Sequence, residues 1–266
     1  MLDMKKVMAG VVVATGGLFS TQAMAETTGS LNLTSEYMFR GIVSSGGAAI
    51  QGSLDWSSPT GVYAGAWASN TSPTVDGNEL DLYFGWAGDM GNGLGVDLGF
   101  VYYMFSEDGE VNEPGQDEDI DYWEIYGGLS YGGLSGSVYY ADDFFAYDGA
   151  LISTGGATGD GSMVYLTLAY TATIKEGLDI TFQVGHNSGE GIEAALLDLY
   201  GSTDDTYVDW SITTSKDLGN GWGASFAYVQ TDIDSSFVDL DDDGIDDANY
   251  SDDAKFVVSL SKEFDL

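Results

Sequence analysis

Leu178-Asp179-Ile180-Thr181-Phe182-Gln183-Val184 alternates apolar and polar residues without a break, the period of a strand with one apolar face and one wet face. The pattern recurs along most of the chain. Ile50, Leu54 and Trp56 oppose Gln51, Ser53 and Asp55, and Leu80, Leu82, Phe84 and Trp86 oppose Glu79 and Asp81. Near the start, Leu31, Leu33, Tyr37 and Phe39 share one parity while Asn32, Thr34, Glu36 and Arg40 share the other, which predicts one strand running through Arg40. Further strands are expected over roughly 61–69, 94–105, 120–130, 134–141, 162–174, 206–216, 222–231 and 255–266, about twelve in all.

The connections give these strands an arrangement. Short turns marked by Gly or Pro fall at Ser57-Ser58-Pro59-Thr60, Asp89 to Gly93, Tyr131-Gly132-Gly133, Lys175-Glu176-Gly177 and Asp217 to Gly221. They alternate with longer polar loops near 106–119, 142–161, 187–205 and 232–254. Long loops gathered at one end and tight turns at the other are the habit of a membrane barrel, whose strands of ~9–11 residues cross the bilayer tilted. The expected fold class is therefore all-β: a transmembrane antiparallel up-and-down β-barrel of about 12 strands, with short periplasmic turns and long acidic extracellular loops. Closure satisfies every backbone hydrogen bond in lipid.

Composition agrees and excludes much else. The 266 residues hold 43 Asp plus Glu against 7 Lys plus Arg, a formal charge of −36. No nucleic acid is expected as a partner, since phosphate neutralisation needs clustered basic residues. Cysteine is absent, which removes disulfides, thiolate metal sites and cysteine nucleophiles. Aromatics at 13 %, with 38 Gly and only 3 Pro, suit strands and tight turns better than disorder. Lys5 and Lys6 precede an apolar stretch from Val7 to Phe19, and Ala23-Met24-Ala25 offers a small-x-small cleavage site. Residues 1–25 thus read as a secretory signal peptide and 26–266 as the barrel domain.

The segment Thr34-Ser35-Glu36-Tyr37-Met38-Phe39-Arg40-Gly41, then Gln51-Gly52 and Gly61-Val62-Tyr63-Ala64-Gly65-Ala66-Trp67-Ala68-Ser69-Asn70, resembles the opening signature of the TorF-type porins of Gram-negative outer membranes. Glu79-Leu80-Asp81, Gly99 with Tyr102-Tyr103, Glu124, Tyr207-Val208-Asp209-Trp210 and Ser215-Lys216-Asp217 extend the likeness over the mature chain. The resemblance implies an outer-membrane channel for passive diffusion of small hydrophilic solutes. Its surroundings would be outer-membrane lipid and lipopolysaccharide, and the barrel assembly machinery would insert it. Barrels of this kind usually end on an aromatic residue, whereas this chain ends Phe264-Asp265-Leu266. Two other functions stay open: a non-conducting structural or calcium-linked surface barrel, and an outer-membrane lipid hydrolase.

If the apolar faces meet lipid, parity places Glu36, Arg40, Asp55, Asp81, Asp97, Glu124, Asp179 and Asp209 in the pore, with Tyr83, Tyr103, Tyr122, Tyr126 and Tyr207 between them. Arg40 is the only arginine, and its planar fork suits a network with Glu36 and other acids. Surplus carboxylate in a passage favours small cationic or neutral solutes over anions. The hydrolase alternative rests on His186, the sole histidine, two residues before Ser188; the sequence identifies neither an orienting group nor an oxyanion donor for them. No cofactor is required by any of these readings, but calcium is a candidate. Asp239, Asp241, Asp243 and Asp247 surround Gly244 in the oxygen-rich pattern of a calcium loop, although the twelfth position is Tyr250 where an EF-hand has Glu. We expect calcium to raise the melting temperature of the parent protein by more than that of the Asp241→Asn/Asp243→Asn variant; identical thermal responses would eliminate the loop as a site.

Overall fold

The computed structural model describes residues 25–72, 77–106, 120–146, 161–200, 202, 204–233 and 254–266. The expected signal peptide, Ala25 excepted, and the Asp239, Asp241, Asp243 and Asp247 loop lie outside these residues. The barrel wall consists of β1 (Glu26–Thr34), β4 (Ala49–Ser57), β5 (Val62–Asn70), β6 (Asn78–Asp89), β7 (Leu94–Phe105), β8 (Tyr122–Tyr131), β9 (Leu134–Ala141), β10 (Met163–Lys175), β11 (Leu178–Ser188), β12 (Thr206–Gly219), β13 (Trp222–Thr231) and β14 (Lys255–Asp265). Each strand pairs antiparallel with its neighbour in this order, and β1 returns to β14 to close the cylinder. Between β1 and β4 lies a small hairpin, β2 (Met38–Phe39) with β3 (Ile42–Val43).

Alternation decides which side chains face out. Ile50, Leu54, Leu82, Phe84, Leu168, Phe182, Phe226 and Val258 are all exposed, a density of bare apolar surface that water does not tolerate on a monomer. Trp56, Trp86, Tyr131, Trp222 and Phe264 stand exposed near the turn end of their strands, as in the aromatic girdle of a membrane barrel. No described helix is long and apolar enough to cross a membrane. Inside, large and small residues interlock across neighbouring strands. Tyr63 pairs with Gly85 and Tyr126 with Gly99, and a Cβ on either glycine would meet the facing phenol at 2.3 Å.

Two segments depart from the periodic pattern. The first strand does not continue to Arg40: it ends at Thr34, where Ser35 closes the ladder by donating its amide to the Val258 carbonyl and accepting the Val258 amide on its hydroxyl. The chain then leaves the wall and folds inward as the β2–β3 hairpin. The second departure is in the loop expected over 187–205, which contains the helix α1 (Glu190–Tyr200). Its Ile192, Ala194, Ala195 and Leu196 join Phe144, Met163 and Tyr165 in the largest buried cluster. We expect Leu168→Arg, midway along β10, to destabilise the barrel in lipid vesicles by about 2–4 kcal/mol, and Tyr131→Arg at the turn end by about 0–1 kcal/mol. Unfolding in urea would read both.

Candidate functional site: the barrel lumen

The loop end of the lumen is built around the hairpin tip. Arg40 and Gly41 form its two-residue turn, with φ of 49° and 84°, the left-handed pair that joins two strands most tightly. Glycine is required at the second position, because a Cβ there would lie 2.6 Å from Asp209 Cβ. Arginine in the left-handed region carries local strain, offset by what its side chain reaches. Nη2 donates to both oxygens of Glu124 at 2.6 and 2.7 Å, and Nη1 to Met163 Sδ at 3.1 Å. The guanidinium lies 4.7 Å from the Phe39 ring centre and 4.6 Å from that of Tyr165, close enough for cation–π attraction. Tyr207 donates its hydroxyl to the Arg40 carbonyl at 3.1 Å, and Tyr103 donates to Glu124 at the same distance. Burial alone would lower the Arg40 pKa, but the facing Glu124 carboxylate outweighs it and holds the group above its ordinary value. The neighbouring loop residue Tyr37 is pushed well up by burial, with Glu79 adding to the effect.

Burial separates two zones. Arg40 is 3 % exposed, Glu124 and Tyr165 are fully buried, and a side chain lining open water would not be. The loop end is therefore filled by the hairpin, by α1 and by the Phe144–Ala146 turn. Toward the turn end, Asp55, Tyr63, Tyr83 and Tyr126 keep partial exposure and form a vestibule. Here tyrosines hold the acids: Tyr63 donates to Asp97 at 2.7 Å and lies 2.6 Å from the Tyr126 hydroxyl, and Tyr83 donates to Asp55.

All eight residues expected to line the pore from parity can be located. Asp55, Asp81, Asp97, Glu124, Asp179 and Asp209 lie on the inward parity of their strands, all but Asp55 buried. Asp209 accepts from Tyr165 at 3.2 Å and from Asn187 at 3.4 Å. Arg40 is inward by way of the hairpin rather than a strand, and its partner is Glu124, not Glu36. Nor does it use its fork, since one nitrogen serves both oxygens. Glu36 stays half-exposed in a separate crevice with Asn32, Thr34, Gln51, Ser225 and Ser259, because the strand has already ended two residues before it. The sequence-based set omits Glu79, which shares the inward parity of Asp81 and is equally buried; the same alternation would have found it. His186 is exposed on the outward face of β11, with Ser188 two residues along donating to the Val164 carbonyl at 3.5 Å.

A family model described as "Bacterial protein of unknown function (Gcw_chp)" matches residues 20–264. The chain belongs to the Gcw_chp family. No curated protein matches it. Among solved structures, a NanC porin has 12 % identity and a TM-score of 0.51, covering 90 % of this chain and 100 % of its own. A chain from a study of the in-meso crystallization of membrane proteins has 8 % identity and a TM-score of 0.54, covering 91 % of this chain and 84 % of its own. The KdgM porin has 7 % identity and a TM-score of 0.49, covering 90 % and 99 %. At these identities the first two likenesses show the barrel fold alone, one shared with the NanC porin.

Removing one partner of a buried ion pair strands the other, at about 3–5 kcal/mol. Arg40→Ala and Glu124→Ala should each destabilise the barrel on that scale, and the Arg40→Met/Glu124→Leu double variant by less than the sum. Denaturant unfolding in one fixed lipid or detergent measures all three.

Proposed function

We propose that this member of the Gcw_chp family is an outer-membrane porin of TorF type in a Gram-negative bacterium, passing small hydrophilic solutes by diffusion and preferring cations. The observation that carries this reading is a carboxylate-bearing interior, with a half-exposed vestibule, inside a closed barrel whose outer face is apolar. Asp55, Asp97 and Asp179 toward the turn end and Glu79, Asp81, Glu124 and Asp209 toward the loop end put negative charge along the passage, outnumbering Arg40 and Lys255, the latter on the inward parity of Val257 and Ser259. Such a lining attracts cations and repels anions. The Arg40 hairpin is the constriction of this passage, and solute crosses when it shifts from Glu124. Export by the leader, insertion by the assembly machinery and contact with lipopolysaccharide belong to the same reading.

One observation favours a second function. The buried Arg40–Glu124 pair and the aromatic packing around it would equally suit a structural surface barrel that carries no current. Planar-bilayer recording under a salt gradient separates the two. For a channel, we expect a reversal potential of cation-selective sign and several-fold larger conductance in the Arg40→Ala variant. No current from either protein supports the structural barrel, and an anion-selective reversal overturns the assignment of the lining acids.

A further inference from the structure

We infer that Glu79, Asp81 and Tyr122 hold one hard divalent cation in the loop end of the barrel. Glu79 and Asp81 occupy successive inward positions of β6 and are 5 % and 6 % exposed. Asp81 Oδ1 has no hydrogen-bond partner. Register then leads across the wall: Asp81 stands opposite Tyr103 and Tyr103 opposite Tyr122, with the two tyrosine rings stacked at 4.6 Å. The Tyr122 hydroxyl is buried and also lacks a partner. It lies in the field of Glu79, Asp81 and Glu124, and Tyr37, which donates to Glu79 at 3.2 Å, interacts with Tyr122 in turn.

Two buried polar atoms without partners thus stand in one register row across β6 to β8, beside two buried carboxyl groups. Native structures leave few such atoms unsatisfied, and an unseen water or ion is a usual reason. The charge count selects the ion. Arg40, the sole arginine, is committed to Glu124; of the described lysines only Lys255, on β14, is at the loop end, and no lysine figures among the groups acting on Glu79 or Asp81. Two buried carboxyl groups with no basic partner ionise together only if a counter-charge joins them, and a divalent cation balances both. All the donors are oxygen, which selects calcium or magnesium over softer metals. Two carboxylates and a phenol do not fill a shell of six, so the ion keeps some of its waters, as magnesium does at sites of one or two carboxylates.

Binding here needs the barrel closed but not conducting, so melting reports on the site and bilayer current on the channel. The test is thermal unfolding of the full refolded protein with magnesium chloride, calcium chloride, or potassium chloride at matched ionic strength. At ten times the dissociation constant, magnesium or calcium should raise the melting temperature by about 3–6 °C. The rise should vanish in Glu79→Gln/Asp81→Asn, weaken in Tyr122→Phe and persist in Asp241→Asn/Asp243→Asn. An undiminished rise in the first variant overturns the inference, as does an equal rise with potassium. Stabilisation of the parent by acid alone, with no response to either divalent ion, also overturns it, because the two carboxyls would then share a proton.

Discussion

Closure of the hydrogen-bonded ladder between β1 and β14 is the constraint on which the rest of the molecule depends. Thr28 to Thr34 pair with Asp265 to Ser259, and once that seam is made no strand of the wall has a free edge. Inside and outside then become fixed properties of each strand position, and a slip of one residue would exchange every apolar side chain for a polar one. The periodic residues enforce the register, and the register in turn aligns groups far apart in the chain. Tyr63 meets Asp97 and Tyr126 only because β5, β6, β7 and β8 are held in their relative offsets.

The strands were legible in the sequence because two signals coincide in them. Alternation sets their faces and glycine-marked turns set their ends, so 94–105, 134–141 and 222–231 are recovered with their exact bounds. Where only one signal operates, errors enter. Tyr37 and Phe39 continue the alternation of β1 after its ladder has stopped, since nothing local to residue 35 announces the bond to Val258 across the seam. The Met38-Phe39 and Ile42-Val43 pairs around Arg40-Gly41 do have hairpin spacing, but arginine is an unusual first residue for such a turn. Helix α1 carried a signal as well: Ile192 and Leu196 are four residues apart with Ala194 and Ala195 between them. The acidic, glycine-bearing context of Gly189-Glu190-Gly191 reads as loop and conceals it.

The lumen was legible as a set of residues and illegible as a set of pairs. Parity turns Asp81, Asp97, Glu124 and Asp209 inward without any knowledge of the barrel, because each lies inside a strand. It cannot tell which of them meets Arg40, as that depends on where an inserted loop crosses the interior. The partner lies 84 positions away on the facing wall, whereas sequence proximity pointed to Glu36. Hydrogen bonding between the vestibule tyrosines and Asp55 or Asp97 was out of reach for the same reason.

The carboxylates of the interior are satisfied in different ways, and the difference bears on the proposed transport. Glu124 has a full counter-charge in Arg40, so this part of the constriction is close to neutral and its grip is strong but local. Asp55 and Asp97 receive hydrogen bonds from neutral donors, phenols for both and the Ser53 hydroxyl for Asp55, which stabilise a carboxylate without cancelling its charge. Their field therefore extends into the vestibule, where partial exposure leaves room for mobile counter-ions. In the proposed channel, such an arrangement would sort ions by sign at the turn end and by size at the Arg40 hairpin. On that proposal, replacing Arg40 would widen the constriction and make it more negative at once, so size selection and charge selection would be coupled through one side chain.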